Sequence, residues 1–333
     1  MNTELPPWLV EPWQALWASE RADRLHHALM ITGAAGTGRR LLAERLAAAL
    51  LCTRPDAQGA PCGHCAECHL LAAGSHPNRF SVQPEEGRAL GIDAIRDLGD
   101  ALLLSGSRGR RRIGIVHAAD SMTIAAANAL LKTLEEPPAG VVLILVAERP
   151  GRLPATVRSR CHRLGVRAPS AAIARAWLGA QIAEPQRAPA LLDAAGGAPF
   201  AALALADGDA DRSRPRVLAD VVDLIRGRAS PLRLAQTWFE GDGALLLRWL
   251  HGWLIDALRI QAGGAGAASA DLPELARGLR ALADSLSLQG LFEAADAVST
   301  VRAEWDAPLA KRLVFEALFT RLSALAPATN ART

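Results

Sequence analysis

Apolar residues follow two rhythms along this chain, and the switch between them organises everything else. In the first half, short unbroken apolar runs alternate with stretches of helical period. Ala28 to Thr32 is one such run; a glycine-rich turn follows, then Leu41 to Leu51, where Leu41, Leu42, Leu46 and Leu50 share one side of a helix. A second short strand is expected at Phe80 to Val82, before a helix at Ile92 to Leu103 that carries Ile92, Ile95, Leu98 and Leu102 at helical spacing. Ile113 to Val116 and Val141 to Val146 read as the third and fourth strands. Between them, Met122 to Leu134 reads as a helix closed by Pro137 and Pro138, since proline cannot continue one. Unbroken apolar strands alternating with helices imply a parallel sheet covered on both faces.

Around Pro169 the strand signal ends and only helical periodicity remains. Ala171 to Ile182, Ala188 to Ala195 and Pro199 to Ala206 make a small helical unit, and the acidic, polar stretch Asp207 to Arg214 reads as a linker. Beyond it Leu245, Leu246, Trp249, Leu250, Trp253 and Leu254 lie on one helical face, Gly263 to Ala270 is a loop, and Leu309, Leu313, Ala317 and Phe319 mark a last helix. These apolar faces read as domain core. The chain's 333 residues can fill more than one core, so an α/β plus all-α fold is expected in three segments, 1–168, 169–208 and 209–333.

Composition narrows the class. The longest apolar run, Val141 to Ala147, is far short of a bilayer span, and Met1 to Pro12 lacks the basic and apolar regions of a signal peptide. A cytoplasmic protein with no membrane partner is expected. A net charge of +3 is too small for a dedicated DNA-binding protein with a basic stripe, so any nucleic-acid contact should be local. Arg108, Arg110, Arg111 and Arg112, with Gly106 and Gly109 among them, form a basic loop; solvated surface is the default reading and a phosphate-contacting loop the sharper one.

The chemistry is that of a nucleotide site with parts replaced. Gly33-Ala34-Ala35-Gly36-Thr37-Gly38-Arg39-Arg40 keeps the glycine skeleton of a phosphate-binding loop, Gly33, Gly36 and Gly38, yet Arg39 and Arg40 stand where Lys and then Ser or Thr are required. The chain has only two lysines, Lys132 and Lys311, so Arg39 alone could be compositional drift; Arg40, however, cannot ligate Mg²⁺. The strand Ile113 to Val116 runs into His117 and Ala118, where an ATPase presents an Asp for the metal and a Glu for water. No ATP binding or hydrolysis is expected.

Cys62, Cys65 and Cys68 follow a C-x2-C-x2-C spacing, with Cys52 ten residues upstream. Four thiolates close a tetrahedral Zn²⁺ site with no open position for water, which makes it structural. His64 or His69 could replace Cys52 as fourth ligand; Cys52 is preferred because it sits where the loop departs from its helix. Arg158-Ser159-Arg160-Cys161 follows the fourth strand by one short helical segment. An arginine at a sheet edge is usually solvated charge, but Arg160 gains weight because an arginine finger stabilises phosphoryl-transfer charge in a neighbouring protein's site.

Together, Gly33 to Arg40, the module Cys52 to Cys68, the run Asn128-Ala129-Leu130-Leu131-Lys132-Thr133-Leu134-Glu135-Glu136-Pro137-Pro138 and Ser159-Arg160-Cys161 resemble, in order and spacing, the AAA+ subunits of bacterial clamp loaders. The resemblance is motif-specific over about the first 205 residues. It implies an AAA+ module, made of a RecA-like parallel sheet with a zinc insertion at 52–68 and a helical lid, followed by a helical collar domain that joins five subunits in a ring. It also implies that Cys52, Cys62, Cys65 and Cys68 are the zinc ligands, that Arg160 is the trans-acting finger, and that Phe200 fills the slot of the lid's sensor-2 arginine. The implied partners are gamma/tau and delta subunits, the sliding clamp (weakly), and primed DNA through the assembled complex. Two other readings compete: an active gamma/tau-like ATPase whose loop tolerates arginine, which ATP turnover would support, and a stand-alone zinc-containing nucleic-acid-binding protein, which tight DNA binding by the lone chain would support. The first lacks three catalytic elements and the second lacks basic charge.

Overall fold

Seven consecutive apolar residues, Val141–Ala147, are buried along their whole length, which requires a strand with neighbours on both edges and cover on both faces. The computed structural model, which describes residues 4–85, 88–103, 111–264, 273–305 and 309–325, supplies both. Its strands β1 (Ala28–Thr32), β2 (Arg79–Val82), β3 (Arg112–Val116), β4 (Val141–Ala147) and β5 (His162–Gly165) form one parallel sheet in the order β2-β3-β4-β1-β5. Around it lie α1 (Pro7–Arg21), α2 (Arg39–Leu51), α3 (Ala66–Ala72), α4 (Ile92–Leu103), α5 (Ile124–Glu135) and α6 (Ala155–Arg158). Successive strand residues point to opposite faces. Leu29 and Ile31 therefore join a core with α1 and α2, while Ala28 and Met30 join the other with α4 and α5.

The expected strands and helices of this region are present, and α1, α3 and β5 add to them. α1 carries Leu9, Trp13 and Leu16, all buried, but its three prolines at positions 6, 7 and 12 mask the helical pattern. Pro6 and Pro7 sit at its N-terminus, where a missing N–H costs nothing. β5 is a four-residue edge strand, His-Arg-Leu-Gly, largely exposed and with no apolar run to announce it.

Contacts divide the chain into two units, Met1–Trp177 and Leu178–Thr333. The second is all helical among the described residues: α7 (Ala171–Gln181) crosses the boundary, and α8 (Ala188–Ala194), α9 (Pro199–Ala206), α10 (Ala210–Ile225), α11 (Pro231–Glu240), α12 (Gly243–Gln261), α13 (Pro273–Ala283), α14 (Leu288–Ala303) and α15 (Lys311–Ala324) follow. Its core is aromatic: Trp238 meets Phe319 edge-on at 4.9 Å and Phe315 at 5.8 Å. Ala194 of α8 belongs to the same core, and its carbonyl accepts the Trp249 indole N–H at 2.7 Å. Within the loop expected at Gly263 to Ala270, residues 265–270 lie outside the described residues.

The expected linker at Asp207 to Arg214 is corrected, because α10 begins at Ala210. Part of the polarity that suggested a linker belongs to Asp211 and Arg214, which are buried and paired. Asp211 is 4% exposed and accepts from Arg187 at 2.7 Å; Arg214 is 3% exposed and donates to Asp193 at 2.8 Å, with its guanidinium over the Trp249 ring. Truncating one partner of such a pair strands the other charge. Asp211→Ala should therefore lower stability by about 2–3 kcal/mol in chemical denaturation, whereas Asp209→Ala, whose exposed carboxylate meets Arg212, should cost under about 1 kcal/mol.

Candidate functional site

β1 runs directly into the glycine loop, and α2 begins at Arg39. Gly36 and Gly38 have φ of 69° and 97°, a region that penalises any Cβ, and a Cβ on Gly33 would meet the Val166 carbonyl oxygen at 2.4 Å. Thr37 is buried; its hydroxyl donates to the Ala34 carbonyl at 2.8 Å, and its own carbonyl accepts the Trp8 indole N–H at 2.8 Å. Trp8 in turn meets Trp177 edge-on at 5.2 Å. The cradle's backbone thus survives, held from within.

Its side chains are committed elsewhere. Arg39 is 13% exposed and reaches Glu148, just past β4, at 3.6 Å. Burial pulls the Arg39 guanidinium below its ordinary value, and the carboxylates of Glu148 and Asp120 oppose that shift. Asp120 also clips the end of β4, accepting the backbone N–H of Glu148 at 3.1 Å and of Arg149 at 2.9 Å. Arg40, the other replacement, is exposed.

At the end of β3, His117 is buried with Nε2 3.2 Å from Glu44 of α2, and Arg79 of β2 donates to both oxygens of that carboxylate. Burial works to raise Glu44, but the His117 imidazole and Arg79 guanidinium outweigh it and hold its carboxyl below the usual range. Ala118 takes a left-handed φ of 47°, and the chain then turns into the short helix Ala119–Ser121. The loop, His117, Asp120 and Glu148 gather at one end of the sheet, where Arg39 faces Glu148, His117 faces Glu44 and Asp120 is taken up by backbone N–H groups.

The four cysteines form a separate cluster whose sulfurs all lie within 4.8 Å of one another, a group that could hold a metal ion. Cys52 ends α2 and Cys65 caps α3. The backbone N–H of Cys62 points at the Cys52 sulfur (3.3 Å), and that of Cys68 at the Cys65 sulfur (3.4 Å). Burial works to raise Cys65, but donors from Thr53 and Cys68 outweigh it and hold the thiol at about 5, while burial and the neighbouring sulfurs push Cys68 up to about 12. Sulfurs this close cannot all ionise without a cation between them. His64 turns instead to the Cys62 carbonyl at 2.6 Å, and the cluster comprises Cys52, Cys62, Cys65 and Cys68 without it or His69.

Two tryptophans of α1 dock this module. The Trp13 indole donates to the Gln58 carbonyl at 2.8 Å and the Trp17 indole to that of Ala57 at 3.2 Å, while Gly59 (φ 83°) lies so close that a Cβ there would meet the Trp17 ring at 2.4 Å. Beneath the cysteines, the buried His76 reaches Glu67 of α3 at 2.9 Å. The sequence reading missed both anchors, although Trp13 and Trp17 at i, i+4 signal a helix face.

Arg160 lies just beyond α6, 37% exposed, pairing with Glu135 of α5 at 2.7 Å and donating to the Thr156 carbonyl at 3.0 Å. Ser159 donates to the same carbonyl, and Cys161 packs against the sheet core, where burial pushes its thiol up to about 11. Arg158 faces away, bracing the carbonyls of Gly151 and Leu153. Of the basic loop, Arg108 and Arg110 lie outside the described residues; Arg111 pairs with Glu20 at 2.8 Å and Arg112 donates to the Ala139 carbonyl at 3.3 Å. Phe200 is half-buried on α9 in the second unit. No single helix among the described residues is long and apolar enough to cross a membrane.

Comparison with known proteins places these features in one context. The family described as DNA polymerase III, delta subunit, matches residues 10–170, and its C-terminal counterpart matches residues 209–324. The chain is 39% identical to the DNA polymerase III subunit delta-prime of Pseudomonas aeruginosa over 257 residues, covering 76% of this chain and 78% of that one. It is 38% identical to the Escherichia coli subunit of the same name over 271 residues, covering 81% and 80%. A DNA polymerase III gamma subunit-related protein of Thermotoga maritima shares the fold at 20% identity, with a TM-score of 0.50 over 93% of this chain and 99% of that structure.

Native mass spectrometry should find one metal ion per chain. Cys52→Ser and Cys65→Ser should lose it, whereas His64→Ala and His69→Ala should keep it; loss with either histidine variant would return that residue to the ligand set.

Proposed function

The chain belongs to the DNA polymerase III delta-prime subunit family, and we propose that it serves in the clamp loader as the stator, a subunit without nucleotide chemistry that helps place the sliding clamp on primed DNA. The observation that carries this reading is Arg39. In a working loop the residue at this position meets β- and γ-phosphates. Here it sits 3.6 Å from Glu148, with Asp120 contributing a further negative charge. An incoming triphosphate would have to displace carboxylates from the guanidinium and would be repelled by them. The opposite half of the site is closed in the same way, since His117 is held against Glu44 and offers no carboxylate for Mg²⁺.

Arg160 supports the second part of the proposal, a trans contribution to the ATP site of a neighbouring gamma/tau subunit. Arg160 keeps 37% of its surface on a twice-anchored segment: Ser159 is tied to Thr156 and Cys161 is packed in the core. In this reading residues 169–208 act as lid and 209–333 as collar, the partners are the gamma/tau and delta subunits, and clamp and DNA contacts are made through the assembled complex in the cytoplasm.

The cysteine cluster fits structural zinc. Four sulfurs at about 2.3 Å from a tetrahedral metal stand about 3.8 Å apart, close to the 4.0 Å that separates Cys52 from Cys65 and Cys62 from Cys68. With all four positions taken by protein, zinc would tie the end of α2 to α3 and supply no Lewis-acid chemistry.

Purified chain should therefore hydrolyse ATP no faster than a denatured control, and Arg39→Lys should restore nothing, because Arg40 and His117 remain. In the reconstituted complex Arg160→Ala should leave assembly intact and lower DNA- and clamp-stimulated hydrolysis. Loss of a finger costs on the order of 10³-fold at one site, diluted in bulk by the other sites. Arg160→Lys should rescue poorly, since lysine lacks the bidentate fork. Arg158→Ala should spare hydrolysis but shift the melting temperature, given the carbonyls that Arg158 braces. Unchanged hydrolysis with Arg160→Ala would reduce the subunit to scaffold.

A further inference from the structure

Two adjacent carboxylates, Glu135 and Glu136, end α5, one as its last residue and one as its C-cap. A helix C-terminus carries partial negative charge and disfavours anions, so local electrostatics argue against both. Pro137 and Pro138 prevent the helix from extending and so fix the place where Glu135 emerges. A residue that violates a local preference calls for a compensating partner, and Glu135 has one in Arg160, 2.7 Å away on the segment after α6.

The pair is built from two elements that pack together, α5 and α6, so its geometry follows from the domain core rather than from a mobile surface. Both members remain accessible, Arg160 at 37% and Glu135 at 50%. An exposed pair of this kind contributes little to stability, about 0–1 kcal/mol, but restricts a long side chain to one direction. Glu135 and the Thr156 carbonyl engage different terminal nitrogens of the guanidinium and leave their other N–H groups for an incoming phosphate.

We propose that Glu135 is the positioning residue of Arg160, holding its guanidinium extended and oriented before it meets the phosphate of a neighbouring subunit's nucleotide. This rests on the reading that Arg160 acts in trans. The carboxylate touches neither the nucleotide nor the reacting atoms; it acts by reducing the conformational freedom that Arg160 would otherwise lose in the transition state.

The test is single-turnover ATP hydrolysis by the fully reconstituted clamp-loader complex with DNA and clamp, using Glu135→Ala, Glu135→Gln, Arg160→Ala and the double variant Glu135→Ala/Arg160→Ala, with assembly and melting temperature measured alongside. Glu135→Ala should lower the hydrolysis rate about two- to fivefold at the affected site, the scale of an exposed ion pair, with little change in the KM for ATP, in assembly or in melting. Glu135→Gln, which keeps an acceptor oxygen at the same reach, should recover part of the rate, and the double variant should match Arg160→Ala alone. Wild-type rates with Glu135→Ala beside an impaired Arg160→Ala would overturn the positioning role and leave the finger standing. Faster hydrolysis would make Glu135 a restraint on Arg160 and overturn it too, as would a Glu135→Ala defect that persists on the Arg160→Ala background. An inert Arg160→Ala would remove the trans reading and this inference with it.

Discussion

A parallel sheet buried on both faces has only its strand ends to offer to chemistry, and this constraint governs the first unit. β4 is buried at all seven positions, so no residue along it can meet a ligand. The groups around the glycine cradle are displaced to the turn after a strand: the glycine loop after β1, His117 after β3, Glu148 after β4. Because these turns open at the same sheet end, substitutions in one can be answered by another. Arg39 and Glu148 lie more than a hundred residues apart in sequence yet form one pair.

Two arginines illustrate how exposure separates a spent charge from an available one. Arg39 is 13% exposed and faces the carboxylates of Glu148 and Asp120, so its charge is neutralised where it stands. Arg160 keeps 37% of its surface and Glu135 keeps 50%, so water screens the pair and the guanidinium N–H groups it does not use stay open to a further acceptor.

Much of this was legible in the sequence, for physical reasons. The strands read correctly because two-sided burial demands unbroken apolar runs, and the four cysteines that the spacing grouped do converge, with sulfurs within 4.8 Å of one another. The harder features escaped because their cause is not local. α1 hides behind Pro6 and Pro7, which cost nothing at a helix start, and Pro12 inside it, and β5 needs no apolar run at the sheet edge. Asp211 and Arg214 looked like a solvated linker because polarity in sequence does not reveal a partner in space. The Glu135–Arg160 pair spans twenty-five positions with no periodicity to mark it; only the packing of α5 on α6 brings it together.

The tryptophans that dock the cysteine loop would make α1 a thermodynamic partner of any cation the four cysteines hold. Trp13 and Trp17 of α1 hold the carbonyls of Gln58 and Ala57, so whatever orders the loop lowers the entropy lost when the cysteines close on a cation, and a bound cation in turn favours the docked helix. Linkage of this kind is reciprocal. Removing such a cation would thus be felt in α1 and in the emission of two indoles that bond only the loop's carbonyls.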